Sequence, residues 1–385
     1  MNTIAAMSTI ALKASLLADG IRISQSARRA YGPPFLVKRR AYGNADQVDL
    51  RDAPLPQELY LGSERLICAA NFRIDAPWLL DFTDGEFFIH RVGADESVGV
   101  DFPKQPPYYD LASEDDFRVS KVVTLYGGGA LGVFVYGDCS LVAMKKPCQY
   151  CSIEPNRKRA VDFLSMTSPE DVELAVYRAL SMDDGTITQV MLNGGNLPDL
   201  DKSFGYYLRI AEAARKAVDR AGRKIPIHLI AFPPDDLGLI RHLHDLNVAI
   251  AFNSEVHDSA LFERYCPGKA AIGGQALLRR ALERAASVLV PGSVFSIFVG
   301  GLEPVASLTK GLREVAEIGA TPVVNVFHAD PETPLANHPC PSREVILEMG
   351  SALQSVYTDF RIKEPFYSGC GRNSLDSEAF DRRFH

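Results

Sequence analysis

The chain has 385 residues, 46% of them hydrophobic and 23% charged, with 41 basic against 48 acidic side chains and a formal charge of −7. A chain of this size buries roughly three-quarters of its extended surface and builds a core without staples. The acidic balance argues against a broad phosphate-binding face and so against nucleic acid as a partner. Seven cysteines are too few for a disulfide scaffold, and three of them, Cys139, Cys148 and Cys151, fall within 13 residues. At one domain per ~150 residues, the length allows two or three units or one large α/β barrel with additions.

Met1 to Gly20 is apolar, but it lacks a basic leader and Lys13 interrupts it. Ile10, Ala14, Leu17 and Ile21 recur at helical spacing, so an amphipathic docking helix is expected rather than a signal peptide. The basic stretch Lys38, Arg39 and Arg40 follows, then strand-like pieces. Trp78–Phe82 and Glu86–His90, joined by Thr83-Asp84-Gly85, read as a hairpin. Pro103, Pro106 and Pro107 mark a loop. Residues 1–125 therefore read as an N-terminal accessory α+β region of no legible function. No segment approaches the ~20 uninterrupted apolar residues of a membrane span. The expected compartment is the cytoplasm, where thiols stay reduced and clustered cysteines more often mean metal or redox chemistry.

From about residue 120 strands and helices alternate. Leu131–Tyr136 is an apolar strand that runs into the cysteine cluster. A helix starts at Ser168-Pro169-Glu170-Asp171, which supplies an N-cap, a proline at the first turn and early acidic residues. Strand Ile187–Leu192, helix Ser203–Ala221, strand Ile225–Phe232 and helix Asp235–Leu246 follow. Strand Val248–Phe252, helix Gln275–Ala286, strand Val294–Val299, helix Leu308–Ile318 and strand Pro322–Phe327 complete the series. The strands are apolar without clean alternation, as expected of a parallel sheet covered on both faces. The fold class is therefore α/β: a partial (β/α)6, TIM-like barrel over 126–340, with the final helix Arg343–Val356 and a tail forming a short extension over 341–385. Working residues in such a barrel sit at the C-terminal ends of the strands.

After the first strand stand Cys139, Cys148 and Cys151, with eight and then two residues between them. Three thiolates on one loop can hold three corners of a cubane iron–sulfur cluster and leave the fourth iron open. A zinc knuckle is the competing reading, but structural zinc wants four closed ligands and no second Cys pair follows. A thioredoxin-like pair explains neither Cys139 nor the barrel. After the second strand comes Asn193-Gly194-Gly195-Asn196, after the fourth Asn253-Ser254-Glu255, and nearby Pro267-Gly268-Lys269. The fifth strand carries Ser296, Phe298, Gly300 and, beyond it, Glu303. Paired glycines at a strand end let backbone approach a ligand closely, or simply make a tight turn.

Together, over roughly residues 125 to 335, these features resemble the radical S-adenosylmethionine (SAM) superfamily, in a biotin-synthase-like or uncharacterised branch. The resemblance implies that Cys139, Cys148 and Cys151 ligate a 4Fe–4S cluster and that Tyr150, before the third cysteine, lies near the adenine. It implies that Gly194, Gly195 and Asn196 contact the methionyl amino group, with Asn in place of the family's Glu and backbone carbonyls as acceptors. Phe298 and Gly300 then fall on the strand that lines the adenine pocket, Glu255 contacts ribose or the methionyl group, and Lys269 pairs with a carboxylate. The eight-residue gap departs from the family's usual three and places subfamily transfer in doubt. The implied activity is reductive cleavage of SAM to a 5′-deoxyadenosyl radical that abstracts hydrogen from a small-molecule substrate. A zinc-stabilised barrel hydrolase and a non-catalytic iron–sulfur carrier or sensor are the alternatives.

His328 and Asp330 past the sixth strand, Asn325 on it, His228 on the third strand and Cys370 in the glycine-flanked tail are candidate substrate contacts. Cys370 is placed on a segment that could fold over the barrel mouth. Cys266, Cys340 and Cys370 match no compact auxiliary-cluster spacing. Asn156-Arg157-Lys158-Arg159 is either a docking face for an acidic electron donor such as flavodoxin or ferredoxin, or a solvated charged face.

Overall fold

The computed structural model describes residues 8–36, 55–111, 119–159 and 164–384. The basic stretch Lys38 to Arg40 lies outside them. Six strands form a first sheet: β1 (Arg22–Ile23), β2 (Glu58–Leu61), β3 (Leu66–Ala69), β4 (Trp78–Thr83), β5 (Glu86–Arg91) and β6 (Ser97–Asp101), in the order β1-β4-β5-β6-β2-β3. The expected hairpin is β4–β5. Asp84 and Gly85 at its tip both have positive φ, 54° and 87°, the combination that matches strand twist in a two-residue turn.

The second sheet holds β7 (Val123–Tyr126), β8 (Ala130–Phe134), β9 (Gln189–Asn193), β10 (Ile227–Ile230), β11 (Ala249–Ala251), β12 (Val294–Gly300) and β13 (Thr321–Val326). They lie side by side in chain order. The β7–β8 hairpin is antiparallel, and every later pair from β8 to β13 is parallel. Six parallel strands in sequence order with helical crossovers form a partial TIM-like barrel. The short antiparallel strand β7 ahead of it was not foreseen, because its Tyr126–Ala130 turn hides in a glycine run.

The helix Pro169–Met182 begins as expected, with the Ser168 hydroxyl accepting from the Asp171 amide. The helix expected over Asp235–Leu246 is instead a 3-10 turn, Leu237–Arg241, followed by one α turn, His242–Asp245. Pro233 and Pro234 delay its start, and the Asp236 carboxylate caps Gly238 in a tighter turn. Helices Leu200–Arg220, Gly274–Val288, Val305–Glu317 and Arg343–Asp359 cover the outside of the sheet.

The N-terminal helix Thr9–Asp19 is buried from Ala11 to Leu17 and packs on helix Arg343–Asp359 and on β3. Lys13, which breaks its apolar run, is fully buried. Among the described residues, no helix is long and apolar enough to cross a membrane.

The barrel does not close on itself. The tail fills the seam between β13 and β7: Val326 donates to the Asn373 carbonyl at 2.8 Å, Leu375 donates to Val324 at 3.0 Å, and Tyr367 stacks on Tyr126. A Cβ on Gly127 would meet the Cys370 carbonyl oxygen at 1.7 Å, so only glycine lets the tail lie this close to the β7–β8 turn. Phe366, Tyr367 and Cys370 pack against Ala130, Met191, Phe295 and Ile297 inside the barrel. The tail is thus a plug in the seam and interior, not a flap over the mouth.

Candidate functional site

Period-2 alternation decides which strand residues face the barrel interior. Gly132 and Phe134, Met191 and Asn193, Ile230, Ile297 and Val299, and Asn325 all face inward and line one cavity of about 370 Å³ at the C-terminal ends of the strands. Tyr150, Cys151 and Ser152 border it on one side, and His328, Asp330, Tyr367 and Arg372 on the other.

The cysteine loop forms its rim. Cys139 precedes a single helical turn, Ser140–Ala143, and donates its thiol to Asn196 Oδ1 at 3.0 Å. Burial pushes the Cys139 thiol up, and Cys148 adds to this. Burial likewise pushes Cys151 up to about 12, with the charges of Cys148 and Cys139 contributing. Cys148 moves the other way: a hydrogen bond from Cys266 and the Lys269 ammonium favour its thiolate against burial. The three thiols therefore lie within electrostatic reach of one another. Among the described residues, no three His, Cys, Asp or Glu side chains converge closely enough to hold a single metal ion. Three soft sulfur donors on one loop are the donor type that a multi-iron cluster takes.

Lys269 is half-buried and ion-paired with Glu255, which itself is buried at a positive φ of 61° past β11. Burial opposes the Lys269 charge, but the Glu255 carboxylate and the thiols of Cys148 and Cys266 outweigh it and raise its pKa. The carboxylate partner of Lys269 is thus Glu255 of the same chain. Glu255 lines the cavity and Lys269 stands behind it. Tyr150 also lines the cavity, with its hydroxyl 3.5 Å from Cys266 Sγ.

The glycine turn after β9 does something other than expected. A Cβ on Gly195 would sit 2.0 Å from the Asp138 carbonyl oxygen and 2.8 Å from Cys139 Cα, so this glycine admits the cysteine loop itself. The Gly195 carbonyl accepts from Tyr207 Oη at 2.7 Å, and the Asn196 carbonyl accepts from the Ser140 amide at 2.8 Å. Each of these carbonyls accepts one hydrogen bond from within the chain, and Asn196 braces Cys139. Gly194 is the member of the turn that lines the cavity.

On β12 the expected side chains lie on the wrong face. Phe298 packs outward against Gly311 of helix Val305–Glu317, and Gly300 makes room for Met349 and Val324. Strand alternation gives the cavity Ile297 and Val299 instead. Glu303 accepts from the amides of His257 and Asp258, and so shapes the loop after β11.

His228 lies one step lower on its strand than cavity-lining Ile230, between Phe295 and Phe366. Burial pushes its pKa down to about 4, leaving a neutral core histidine. Cys370 sits in the same apolar interior and donates to the Tyr367 carbonyl. Neither lines the cavity. Asn325, His328 and Asp330 do. His328 Nδ1 lies 3.2 Å from Asp330 Oδ1. The Asp330 charge raises the His328 pKa against burial; burial works to raise that of Asp330, but His328 and a hydrogen bond from Ser152 hold it low. Cys266, Cys340 and Cys370 occupy separate surroundings. Arg157 pairs with Asp138 at 2.7 Å and Lys158 with Glu154 at 3.1 Å, while Asn156 turns toward the cavity.

Asn193 and Asn253, which stand in the polar turns after the second and fourth strands, line the cavity, and so does Arg372, which was given no role from the sequence. The two asparagines were findable, since each is a polar residue closing an apolar strand. Arg372 was not, because the tail's path into the seam is a tertiary fact.

No family model matches the chain, and no curated protein matches it in sequence. Among solved structures it is similar to methylornithine synthase (PylB), with a TM-score of 0.47 and 14% identity over 71% of this chain and 78% of that one. It is also similar to the FeFe-hydrogenase maturase HydG from Carboxydothermus hydrogenoformans, with a TM-score of 0.39 and 17% identity over 61% of this chain and 53% of that one.

Proposed function

We propose that the chain is a radical SAM enzyme acting on a small molecule. The observation that carries this reading is the placement of Cys139, Cys148 and Cys151 on the one loop that follows β8, where Cys151 borders the barrel cavity. Cys139, Cys148 and Cys151 would hold a 4Fe–4S cluster, which would supply the electron for reductive cleavage of SAM and so for hydrogen-atom abstraction.

The chain's residues prepare this in definite ways. Lys269 offsets negative charge at Cys148, and the Cys266 thiol donates to the same sulfur. Asn196 holds Cys139. Ile230, Ile297 and Val299 supply apolar walls that keep water from a reactive intermediate. Glu255 and Asn253 offer acceptors on the opposite strand ends. An acidic electron donor would meet the cluster from the exposed side of the cysteine loop, where Lys145 and Lys146 are exposed and Met144 is 45% exposed.

The test is anaerobic reconstitution, counting of iron and sulfide, then addition of dithionite and SAM. Four irons per chain and formation of 5′-deoxyadenosine are expected. Colourless protein with one zinc per chain, or a full cluster that yields no 5′-deoxyadenosine, would overturn the reading.

A further inference from the structure

A fourth cysteine stands behind the cysteine loop, and the three proposed ligands leave it without a task. Cys266 joins helix Ser259–Tyr265 to helix Pro267–Ala271 and is fully buried. This joint is pressed against the loop. The peptide linking Cys148 to Gln149 donates to the peptide linking Tyr265 to Cys266, from the Gln149 amide to the Tyr265 carbonyl at 2.8 Å. Nearby, a Cβ on Gly268 would meet the Lys146 carbonyl oxygen at 2.3 Å and Leu141 Cδ2 at 2.9 Å, so glycine permits the approach. Cys148 and Cys266 thus leave neighbouring peptides, and their side chains are hydrogen-bonded to each other. Tyr150 Oη lies 3.5 Å from Cys266 Sγ and is a second partner of Cys148.

Ligation would fix the direction of these contacts. Cysteine binds metal as the thiolate, so a ligating Cys148 holds no proton and can only accept. The donors are then the Cys266 thiol and the Tyr150 hydroxyl. A hydrogen bond to a ligating sulfur draws negative charge away from the metal and favours the reduced form. Lys269, whose charge reaches Cys148 and Cys266, acts in the same sense. Both sulfurs are buried, so bulk water does not take over the donor's place. As a fourth ligand, Cys266 would instead close the iron that three cysteines leave open.

We infer that Cys266 is a positioning residue that acts through Cys148 to raise the reduction potential of the cluster, with Tyr150 as its companion donor. This rests on the radical SAM reading for the cluster itself, but the potential is read without SAM and without any turnover.

The test is a redox titration of the reconstituted full chain in the absence of SAM, followed by electron paramagnetic resonance of the reduced cluster. Wild type, Cys266→Ser, Cys266→Ala and Tyr150→Phe are compared after their iron and sulfide have been counted. All should carry the same iron. Cys266→Ser keeps a donor and should titrate close to wild type. Cys266→Ala removes the donor and should titrate at a more negative potential, with a severalfold smaller reduced fraction at the wild-type midpoint. Tyr150→Phe should shift in the same direction. Serine and alanine both vacate the sulfur's volume, so a merely structural role would not separate them. Unchanged potential in Cys266→Ala, or equal shifts in Cys266→Ser and Cys266→Ala, would overturn the inference. Iron loss in both Cys266 variants would overturn it too, by making Cys266 a ligand. Should Cys266→Ala alone fail to fold or to hold iron, Tyr150→Phe decides, and an unmoved potential there overturns the inference. A wild type that takes up no cluster would sink the radical SAM reading along with this one, whereas a full cluster with unmoved potentials sinks this one alone.

Discussion

The Lys13 ammonium meets the Glu378 carboxylate at 2.5 Å, joining two positions 365 residues apart in the chain. Both side chains are buried, and Lys13 also donates to the carbonyls of Gly371 at 3.2 Å and Ser374 at 2.9 Å. Those two carbonyls flank Arg372 and Asn373, which line the cavity. One lysine of the N-terminal helix thus holds the segment that completes the barrel seam. The accessory region is in this way part of the site's framework.

Lys13→Met should destabilise the protein by about 3–5 kcal/mol, because it leaves a buried carboxylate without its partner. Lys13→Met combined with Glu378→Leu should recover most of that loss. Chemical denaturation of the single and double variants measures both. Equal stability of the two would show that the lysine acts through packing and not through charge.

Cys148→Ala should remove the brown iron–sulfur chromophore of the reconstituted protein, whereas Cys266→Ala should retain it. Cys266 donates to Cys148 and is not one of the three proposed ligands. Absorbance and iron content check the pair. An intact cluster in Cys148→Ala would refute the ligand assignment.

Two glycines make a contrasting pair. Gly195→Ala places a methyl group 2.0 Å from backbone that cannot yield, so the cysteine loop must move. A severalfold fall in bound iron and a loss of about 2–3 kcal/mol are expected. Gly205 lies inside helix Leu200–Arg220 with nothing within 4 Å of its would-be Cβ. Gly205→Ala should therefore gain up to about 1 kcal/mol through helix propensity and leave iron content unchanged.

His228 makes the protein acid-sensitive. With a folded pKa of about 4 against 6.5 unfolded, the unfolded chain binds the extra proton, so stability falls as pH drops from about 6.5 toward 4. The full effect is about 3 kcal/mol. His228→Leu should flatten this limb, read as melting temperature at pH 5 relative to pH 7. An unchanged slope would place the acid sensitivity elsewhere.

The six parallel strands were legible because each is a short apolar run bounded by turns and separated by amphipathic helices. The cysteine loop was legible too, since its three thiols lie close in sequence. Which face the residues of the fifth-strand motif take was not legible, for a definite reason. A strand residue faces either the cavity or the helices, and matching a pattern does not say which. Phe298 and Gly300 therefore sit on the helix face of β12, and Gly195 accommodates the cysteine loop.

By itself, the sequence determined the barrel's order of elements and the site's position at the strand ends, because local periodicity and spacing encode both. Only the tertiary structure decided what stands across from the cysteines. Arg372 reaches the cavity because the tail enters the β7–β13 seam, and the tail stays there through Lys13, a contact between chain ends that no local pattern encodes.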